Sequence, residues 1–363
     1  MRHAYVVLLA LAAVDAAGYS VIAPTLPSIA DSTGAGPALA GALVASFSAG
    51  LVLGFALGGR GVERRSTRTV IAGGLVLVVL GALGFVLGDE LAPYFAGRFV
   101  MGVGSGCLWI GIAFATLEGW PHDAYRTMSA VLAAYAVGAL IGPGLGSLGG
   151  VVVPFLAYLA LAAAMLPASS LLRRAGAAPS FGSERDVLRL PSFWIAAAGI
   201  LAAYLALGVL DGTLPLHFAS QLSQAEIGGL YVGTAVVVAA STAAAGRLPM
   251  RPLLPAGALA VVIGIAVAGA TAAVPLWLVA LLVTAIGIGL SQTASTGILL
   301  ADVEAGRMVL AMVVWSQLAI VGYLLGPLAG GAIATWLGFA WLGLVPLAAV
   351  GALAAAYAWS RSR

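Results

Sequence analysis

Two stretches of the chain carry the same glycine and proline pattern: Gly138-Ala-Leu-Ile-Gly142-Pro143-Gly-Leu-Gly146 and Gly322-Tyr-Leu-Leu-Gly326-Pro327-Leu-Ala-Gly330. Each lies in an apolar segment and reads GxxxGPxxG. Their first glycines, at positions 138 and 322, are 184 residues apart in a chain of 363 residues. A repeat near half the chain length indicates two homologous halves. In a membrane protein, two such halves are typical of a transporter that rocks around a central site.

The composition is that of a membrane protein. Hydrophobic residues make up 62% of the chain and charged residues 8%, which excludes an ordinary soluble domain. Apolar stretches long enough to cross a bilayer recur along the whole sequence. We predict twelve spans, at residues 4–27, 37–58, 69–88, 93–117, 126–147, 151–172, 192–216, 225–245, 253–273, 275–299, 308–331 and 336–358.

The distribution of charge predicts the topology. The chain has no lysine, so its 16 basic residues are all arginines. If the N-terminus is cytoplasmic, every arginine except Arg98 falls at the cytoplasmic ends of the predicted spans, whereas the outer loops carry acids such as Asp31 and Glu226. This positive-inside pattern predicts a multi-pass protein of the cell inner membrane with both termini in the cytoplasm.

The fold class that we predict is an all-α membrane protein with twelve transmembrane helices in two six-helix lobes related by pseudo-two-fold symmetry. A second landmark supports the repeat, because Pro24-Thr25-Leu26-Pro27 ends the first span and Gly212-Thr213-Leu214-Pro215 ends the seventh. The polar stretch after the sixth span reads as a linker. We assign residues 1–172 to the N-terminal lobe, 173–191 to a cytoplasmic linker and 192–363 to the C-terminal lobe.

These residues resemble the major facilitator superfamily, and within it the twelve-span drug:proton antiporters that include the vesicular monoamine transporters. The segment from Gly138 to Gly150 resembles their antiporter motif, and Gly322 to Gly331 is similar to their eleventh span. Arg98-Phe-Val-Met-Gly102 resembles the fourth-span arginine motif, and Leu210-Asp211-Gly-Thr-Leu-Pro215 resembles an acidic seventh-span element.

The loop from Gly59 to Arg68 resembles the family motif between the second and third spans. Glu63 stands where aspartate is typical and Ser66 where glycine is typical. The resemblance implies a cytoplasmic gate in which Glu63, Arg64 and Arg68 take part. The alternative is that these arginines only follow the positive-inside pattern.

The resemblance implies a secondary active transporter that exports lipophilic cationic amines or drugs in exchange for protons by alternating access. The paired signatures, with Gly138, Gly142, Pro143 and Gly146 in the first and Gly322, Gly326 and Pro327 in the second, then form a conformational motif. Their glycines allow close helix approach and their prolines free a backbone carbonyl. Plain tight packing is the alternative interpretation.

Asp15 is the strongest candidate for a binding residue. It lies about eleven residues into the first span, near the middle of the bilayer at a rise of about 1.5 Å per residue. A carboxylate at that depth costs about 2.5–3.5 kcal/mol on an insertion scale. A proton, a cation or a partner side chain has to offset this cost. Asp15 is therefore either a shared cation and proton site or a structural acid that is hydrogen-bonded to another helix.

Arg98 and Asp211 are the other charged candidates for proton or cation binding. Arg98 pairs with a carboxylate, holds an anionic group of the substrate, or extends towards the outer surface. Asp211 lies near the outer end of the seventh span and is either a second proton or cation site or a wetted surface acid. His217 follows closely, and we expect it to be an interfacial loop residue and not a proton relay.

Three further polar residues are candidates for the substrate cavity. Tyr19 lies one turn beyond Asp15, although an interfacial tyrosine is the alternative. Gln292 and Gln317 lie within the tenth and eleventh spans. They could bind substrate through hydrogen bonds or join neighbouring helices.

The sequence shows no pattern typical of a cofactor or metal site. Gly102-Val-Gly104-Ser-Gly106 has glycine spacing but follows no strand, which argues against a dinucleotide site. We expect no cofactor, no enzymatic activity and no nucleic-acid partner. The expected partners are a cationic small molecule, protons and the lipid bilayer, and we expect a monomer. Alternatives are an exporter or uniporter of a metabolite, siderophore, lipid or sugar, or a membrane receptor or enzyme without transport.

Overall fold

The computed structural model describes residues 2–120, 123–172, 187–303 and 308–361. Regular structure in these residues is helical. The α-helices are α1 Arg2–Ser20, α2 Ile22–Thr33, α3 Pro37–Arg64, α4 Thr67–Leu87, α5 Leu91–Gly119, α6 Ala124–Gly146, α7 Val152–Ala168, α8 Pro191–Gly212, α9 Leu214–Phe218, α10 Gln224–Ala245, α11 Met250–Ala270, α12 Val274–Ala301, α13 Met308–Trp336 and α14 Leu344–Arg361. Short 3₁₀ turns at Ser169–Leu171 and Phe339–Trp341 follow α7 and precede α14.

Twelve helical segments in the described residues are long and apolar enough to cross a membrane, which confirms the predicted number of spans. The first of them, His3–Thr33, is longer than predicted. We expected it to end at Pro27, but α2 continues through this proline to Thr33. Gly34 then ends the helix with a φ of 70°, a left-handed conformation that suits glycine.

The chain forms two compact units. Unit 1 comprises Met1–Ala35, Ser46–Pro179 and Leu222–Val232, and unit 2 comprises Gly36–Ala45, Ser180–Gln221 and Gly233–Arg363. The first residues of α3 thus belong to unit 2, and those of α10 belong to unit 1. The predicted linker lies outside the described residues except for 187–191, and the lobe boundaries stay a prediction.

The first and seventh spans are interrupted at corresponding places. In unit 1, Val21 separates α1 from α2, three residues before Pro24. In unit 2, Thr213 separates α8 from α9, two residues before Pro215. Each proline lacks an amide hydrogen, so it cannot bond to the carbonyl four residues earlier. The two proline-containing elements that supported the repeat therefore mark the same irregularity in each unit.

In unit 1, the glycines of the first signature face α1. Gly138, Gly142 and Gly146 lie four residues apart and so share one side of α6. A Cβ atom on Gly142 would lie 2.5 Å from the carbonyl oxygen of Ala17, and one on Gly146 would lie 2.7 Å from that of Val21. The absence of side chains at these glycines lets α6 approach the main chain of α1.

In unit 2, the second signature packs in the same way against α8. A Cβ atom on Gly326 would lie 2.5 Å from the carbonyl oxygen of Leu205, and one on Gly330 would lie 2.8 Å from Thr213 Oγ1. Both signature helices continue beyond their prolines, α6 to Gly146 and α13 to Trp336. The repeated sequence pattern thus corresponds to a repeated helix contact.

The start of α10 is anchored within unit 1 at the end of the first signature. Gln224 Nε2 donates hydrogen bonds to the carbonyl oxygens of Gly146 at 2.6 Å and Gly150 at 2.9 Å. The Ser28 hydroxyl donates to Gln224 Oε1 at 2.7 Å. This one amide therefore connects α2, α6 and the turn after α6.

We predict that Gly142→Ala lowers the thermal stability of the purified protein, whereas Gly144→Ala does not. The added methyl group at 142 overlaps α1 and should cost about 1–3 kcal/mol. A Cβ atom on Gly144 would meet no heavy atom of a neighbouring element within 4 Å, so alanine there improves helix propensity without a clash. Melting temperatures of both variants in one detergent test this, and equal values would contradict the close contact.

Candidate functional site

Asp15 lies in α1 and is 3% exposed. Its Oδ2 accepts a hydrogen bond from the Ser105 hydroxyl of α5 at 2.9 Å. Its Oδ1 is buried, and no donor among the described residues forms a hydrogen bond with it. A buried polar atom without a partner is costly. The carboxylate thus has one oxygen held by the protein and one able to accept a proton or a cationic donor.

Two aromatic side chains of unit 1 interact with this carboxylate. Trp109 of α5 and Tyr158 of α7 are both close enough to interact with it. Trp109 makes an edge-to-face contact with Tyr135, with 5.2 Å between the ring centroids. Aromatic faces attract cations and offer apolar surface. The surroundings of Asp15 thus combine a carboxylate with aromatic side chains.

Arg98 is fully buried, so its charge does not extend to the surface. Its Nη1 donates to the carbonyl oxygen of Gly18 at 3.0 Å and its Nη2 to that of Tyr19 at 2.8 Å. Its guanidinium carbon lies 4.5 Å from the ring centre of Phe47. The carbonyls belong to the last turn of α1, where a helix carries partial negative charge. Arg98 thus stabilises the end of α1 while remaining close enough to Asp15 for electrostatic interaction.

One face of α5 supplies most of these contacts. Arg98, Ser105 and Trp109 are spaced seven and four residues apart, which places them on one side of a helix. Sequence reasoning singled out Arg98 but missed Ser105, which stands among the glycines that we considered as a dinucleotide motif. The position of Ser105, seven residues after Arg98 and so on the same side of the helix, was the feature of the sequence that could have identified it.

Asp211 is buried in unit 2, with 6% of its surface exposed. The Tyr323 hydroxyl donates a hydrogen bond to its Oδ2 at 2.8 Å. Tyr323 is itself buried and lies inside the second signature, directly after Gly322. The structure therefore places Asp211 in the interior and not in a wetted surface position. The signature contains Tyr323, but the sequence pattern did not identify it as a partner of Asp211.

His217 makes a hydrogen bond and two ring contacts with neighbouring parts of unit 2. Its Nε2 lies 2.8 Å from the carbonyl oxygen of Thr271. Its ring stacks on Phe339 at 4.7 Å and contacts the edge of Trp277 at 5.4 Å between centroids. These contacts join α9 to α12 and to the turn before α14. His217 thus lies in the short helix α9 and not in the loop that we expected, and its interfacial position stays a prediction.

The candidate cavity residues lie in different units. Tyr19 is half-buried in unit 1, and its ring makes an edge-to-face contact with Phe47 at 5.6 Å. Gln292 and Gln317 are half-buried in unit 2. Of the three, Tyr19 shares the helix α1 with Asp15.

The loop between α3 and α4 is short, and Ser66 in this loop caps the N-terminus of α4. Glu63 and Arg64 are exposed at the end of α3, and Arg68 is half-buried in the first turn of α4. Ser66 precedes α4 and accepts a hydrogen bond from the amide of Thr69. A serine at this position is thus a helix N-cap.

An acid that sequence reasoning did not consider lies beside this loop. Glu118, near the end of α5, accepts a hydrogen bond from the Thr67 hydroxyl at 3.2 Å. The bond joins the start of α4 to the end of α5 within unit 1. Glu118 lies next to the polar end of its span, so hydropathy alone did not distinguish it.

We predict that Arg98→Lys lowers thermal stability and that Arg247→Lys does not. Lysine keeps the charge but lacks the planar fork that reaches two carbonyls at once. Each lost hydrogen bond from a charged group is worth about 1.5–3 kcal/mol. Arg247 is exposed and serves as the control. An unchanged melting temperature for Arg98→Lys would show that the two carbonyl contacts contribute little.

Comparison with known proteins identifies a family for this fold. The sequence profile of the Major Facilitator Superfamily matches residues 8–303. A search of curated protein sequences gave no significant match.

Solved structures share the fold at low sequence identity. A bacterial homolog of the human lysosomal transporter Spinster, in an inward-facing and unoccupied conformation, is 14% identical with a TM-score of 0.77, covering 98% of this chain and 95% of that one. The nucleoside transporter NupG is 15% identical with a TM-score of 0.77, covering 98% and 99%. A POT family transporter in complex with a thioalcohol-conjugated peptide is 12% identical with a TM-score of 0.78, covering 99% and 96%.

Proposed function

The chain belongs to the Major Facilitator Superfamily, and within this family of transporters we propose that it exchanges protons for lipophilic cationic amines or drugs, exporting them by alternating access. The proposal includes the orientation inferred from the arginines, with both termini in the cytoplasm and the protein in the cell inner membrane. It also includes the division into lobes 1–172 and 192–363, the cytoplasmic gate at Glu63, Arg64 and Arg68, and a monomeric state.

The observation that carries the proposal is the half-satisfied carboxylate of Asp15. It is buried in a helix that spans the membrane, and the protein satisfies one oxygen through Ser105. Ionisable groups inside a membrane mark ion or proton pathways by default. A group that holds a cation in one state and a proton in another couples the two movements without further machinery.

The aromatic surroundings support a lipophilic cation as cargo. Trp109 and Tyr158 interact with the Asp15 carboxylate, and Tyr135 packs against Trp109. A desolvated cation over an aromatic face gains about 2 kcal/mol. A small inorganic cation would instead require several oxygen ligands.

The proposed cycle begins with the charged carboxylate of Asp15, which binds the cation from the cytoplasmic side or the inner leaflet. The protein then opens outward, a proton replaces the cation on the carboxylate, and the neutral site returns. The glycine contacts of α6 with α1 and of α13 with α8 lie beside Asp15 and Asp211 and would transmit the change in each unit.

The alternative to a cationic amine is a different small-molecule cargo. The solved structures of similar fold include a nucleoside transporter and a transporter in complex with a conjugated peptide. In that case Arg98 would hold an anionic group of the substrate. The two hydrogen bonds from Arg98 to main-chain carbonyls favour a structural role for this guanidinium. We therefore rank an anionic cargo second.

We predict that Asp15→Asn abolishes substrate-driven proton movement in proteoliposomes. An amide keeps the shape of the side chain but does not take up a proton at physiological pH. Asp31→Asn removes a carboxylate from the exposed end of α2 and should leave exchange unchanged. The assay follows internal pH after addition of cationic, anionic and neutral compounds, and it checks the melting temperature of each variant.

Proton exchange at the normal rate in Asp15→Asn would make Asp15 a structural acid. Loss of exchange in Asp211→Asn alone would then transfer the role to the buried acid of unit 2. Proton movement driven only by anionic compounds would instead support the alternative cargo. Cation binding to the native protein should also weaken as the pH falls, because protons and cations compete for one carboxylate.

A further inference from the structure

We propose that the Asp15 site selects cations that carry an N–H bond, and that it discriminates against quaternary ammonium ions of the same size. This inference rests on the proposed function and specifies its substrate class. Its basis is the difference between the two oxygens of the Asp15 carboxylate.

The donors around Asp15 leave one oxygen of its carboxylate without a hydrogen bond. A charged carboxylate is an acceptor only, with two oxygens to satisfy. The Ser105 hydroxyl donates to Oδ2 at 2.9 Å. The indole N–H of Trp109 also interacts with the carboxylate as a hydrogen-bond donor, with a smaller effect than Ser105. Oδ1 nevertheless has no partner in hydrogen-bond geometry among the described residues and almost no exposed surface. Oδ1 is therefore shielded from bulk solvent in this arrangement.

Arg98 is a fixed cation that interacts electrostatically with Asp15. Arg98 directs two of its N–H groups to the carbonyls of Gly18 and Tyr19 and places its face near Phe47. These contacts hold the guanidinium against the end of α1. Arg98 thus contributes a nearby positive charge, but these two hydrogen bonds direct it to the main chain and not to Oδ1.

A protonated primary, secondary or tertiary amine supplies both a positive charge and an N–H donor, so it can complete the hydrogen bonding of Oδ1. A quaternary ammonium ion carries the same charge under methyl or methylene groups and has no donor. Sites built around a hydrogen bond strongly reject analogues that lack it.

The aromatic side chains do not remove this discrimination. Trp109 and Tyr135 can attract either type of cation through their rings. Ring attraction therefore accounts for lipophilic cation binding in general, whereas Oδ1 distinguishes cations with an N–H bond. The preference should accordingly depend on Asp15 and be independent of the apolar part of the ligand.

A matched pair of ligands tests the proposal: a phenylalkyl dimethylamine and its trimethylammonium analogue. Binding to the detergent-purified full chain is measured by titration calorimetry at a pH where the amine is fully protonated. We expect the amine to bind at least about tenfold more tightly. In Asp15→Asn, both ligands should bind weakly and to a similar extent, while Asp31→Asn should keep the native preference.

Stability controls make each outcome informative. The melting temperature of Asp15→Asn shows whether the variant is folded, and Asp15→Glu provides a second variant that keeps the carboxylate. Equal or tighter binding of the quaternary ion, with loss of both in Asp15→Asn, would overturn the N–H preference but leave cation transport intact. Binding of neither ligand to the native protein would overturn the proposed function as well.

Discussion

The pair of hydrogen bonds from Arg98 to the carbonyls of Gly18 and Tyr19 is the contact on which the architecture of unit 1 depends. The hydrocarbon interior of a membrane offers no water to satisfy backbone groups. The first span is irregular at Val21 and contains Pro24, so its main chain needs donors from another helix. A buried guanidinium provides two such donors at once. This contact also fixes which face of α5 meets α1.

Once that face is fixed, the surroundings of Asp15 follow from helix geometry. Ser105 and Trp109 lie about two and three turns after Arg98 on the same side of α5. In the predicted topology, α1 and α5 cross the membrane in opposite directions. Arg98 stabilises the end of α1 at Gly18 and Tyr19. The same orientation of α5 brings the Ser105 hydroxyl to the carboxylate of Asp15, which lies one turn earlier in α1. The groups that hold the end of α1 and those that contact Asp15 share one helix face, so a change at Arg98 would also displace the surroundings of Asp15.

Hydropathy and glycine spacing predicted the spans and the repeated helix contacts, because both depend on local pattern. The extension of the first span to Thr33 was not predicted, since proline is a weak guide when neighbouring helices support the backbone. The partners of Asp15 and Asp211 lie 90 and 112 residues away in sequence. Contacts at such separations depend on how helices rotate against each other, and a single sequence contains no direct record of that angle.

The glycine contacts between α6 and α1 have an entropic consequence. When two helices meet through interlocking side chains, each separation frees rotamers and each return has to order them again. Gly142 and Gly146 have no rotamers, and they rest against main-chain carbonyls that are already fixed by helix formation. In the cycle that we propose, this surface would separate and close again with little side-chain ordering, which would lower one barrier to fast transport.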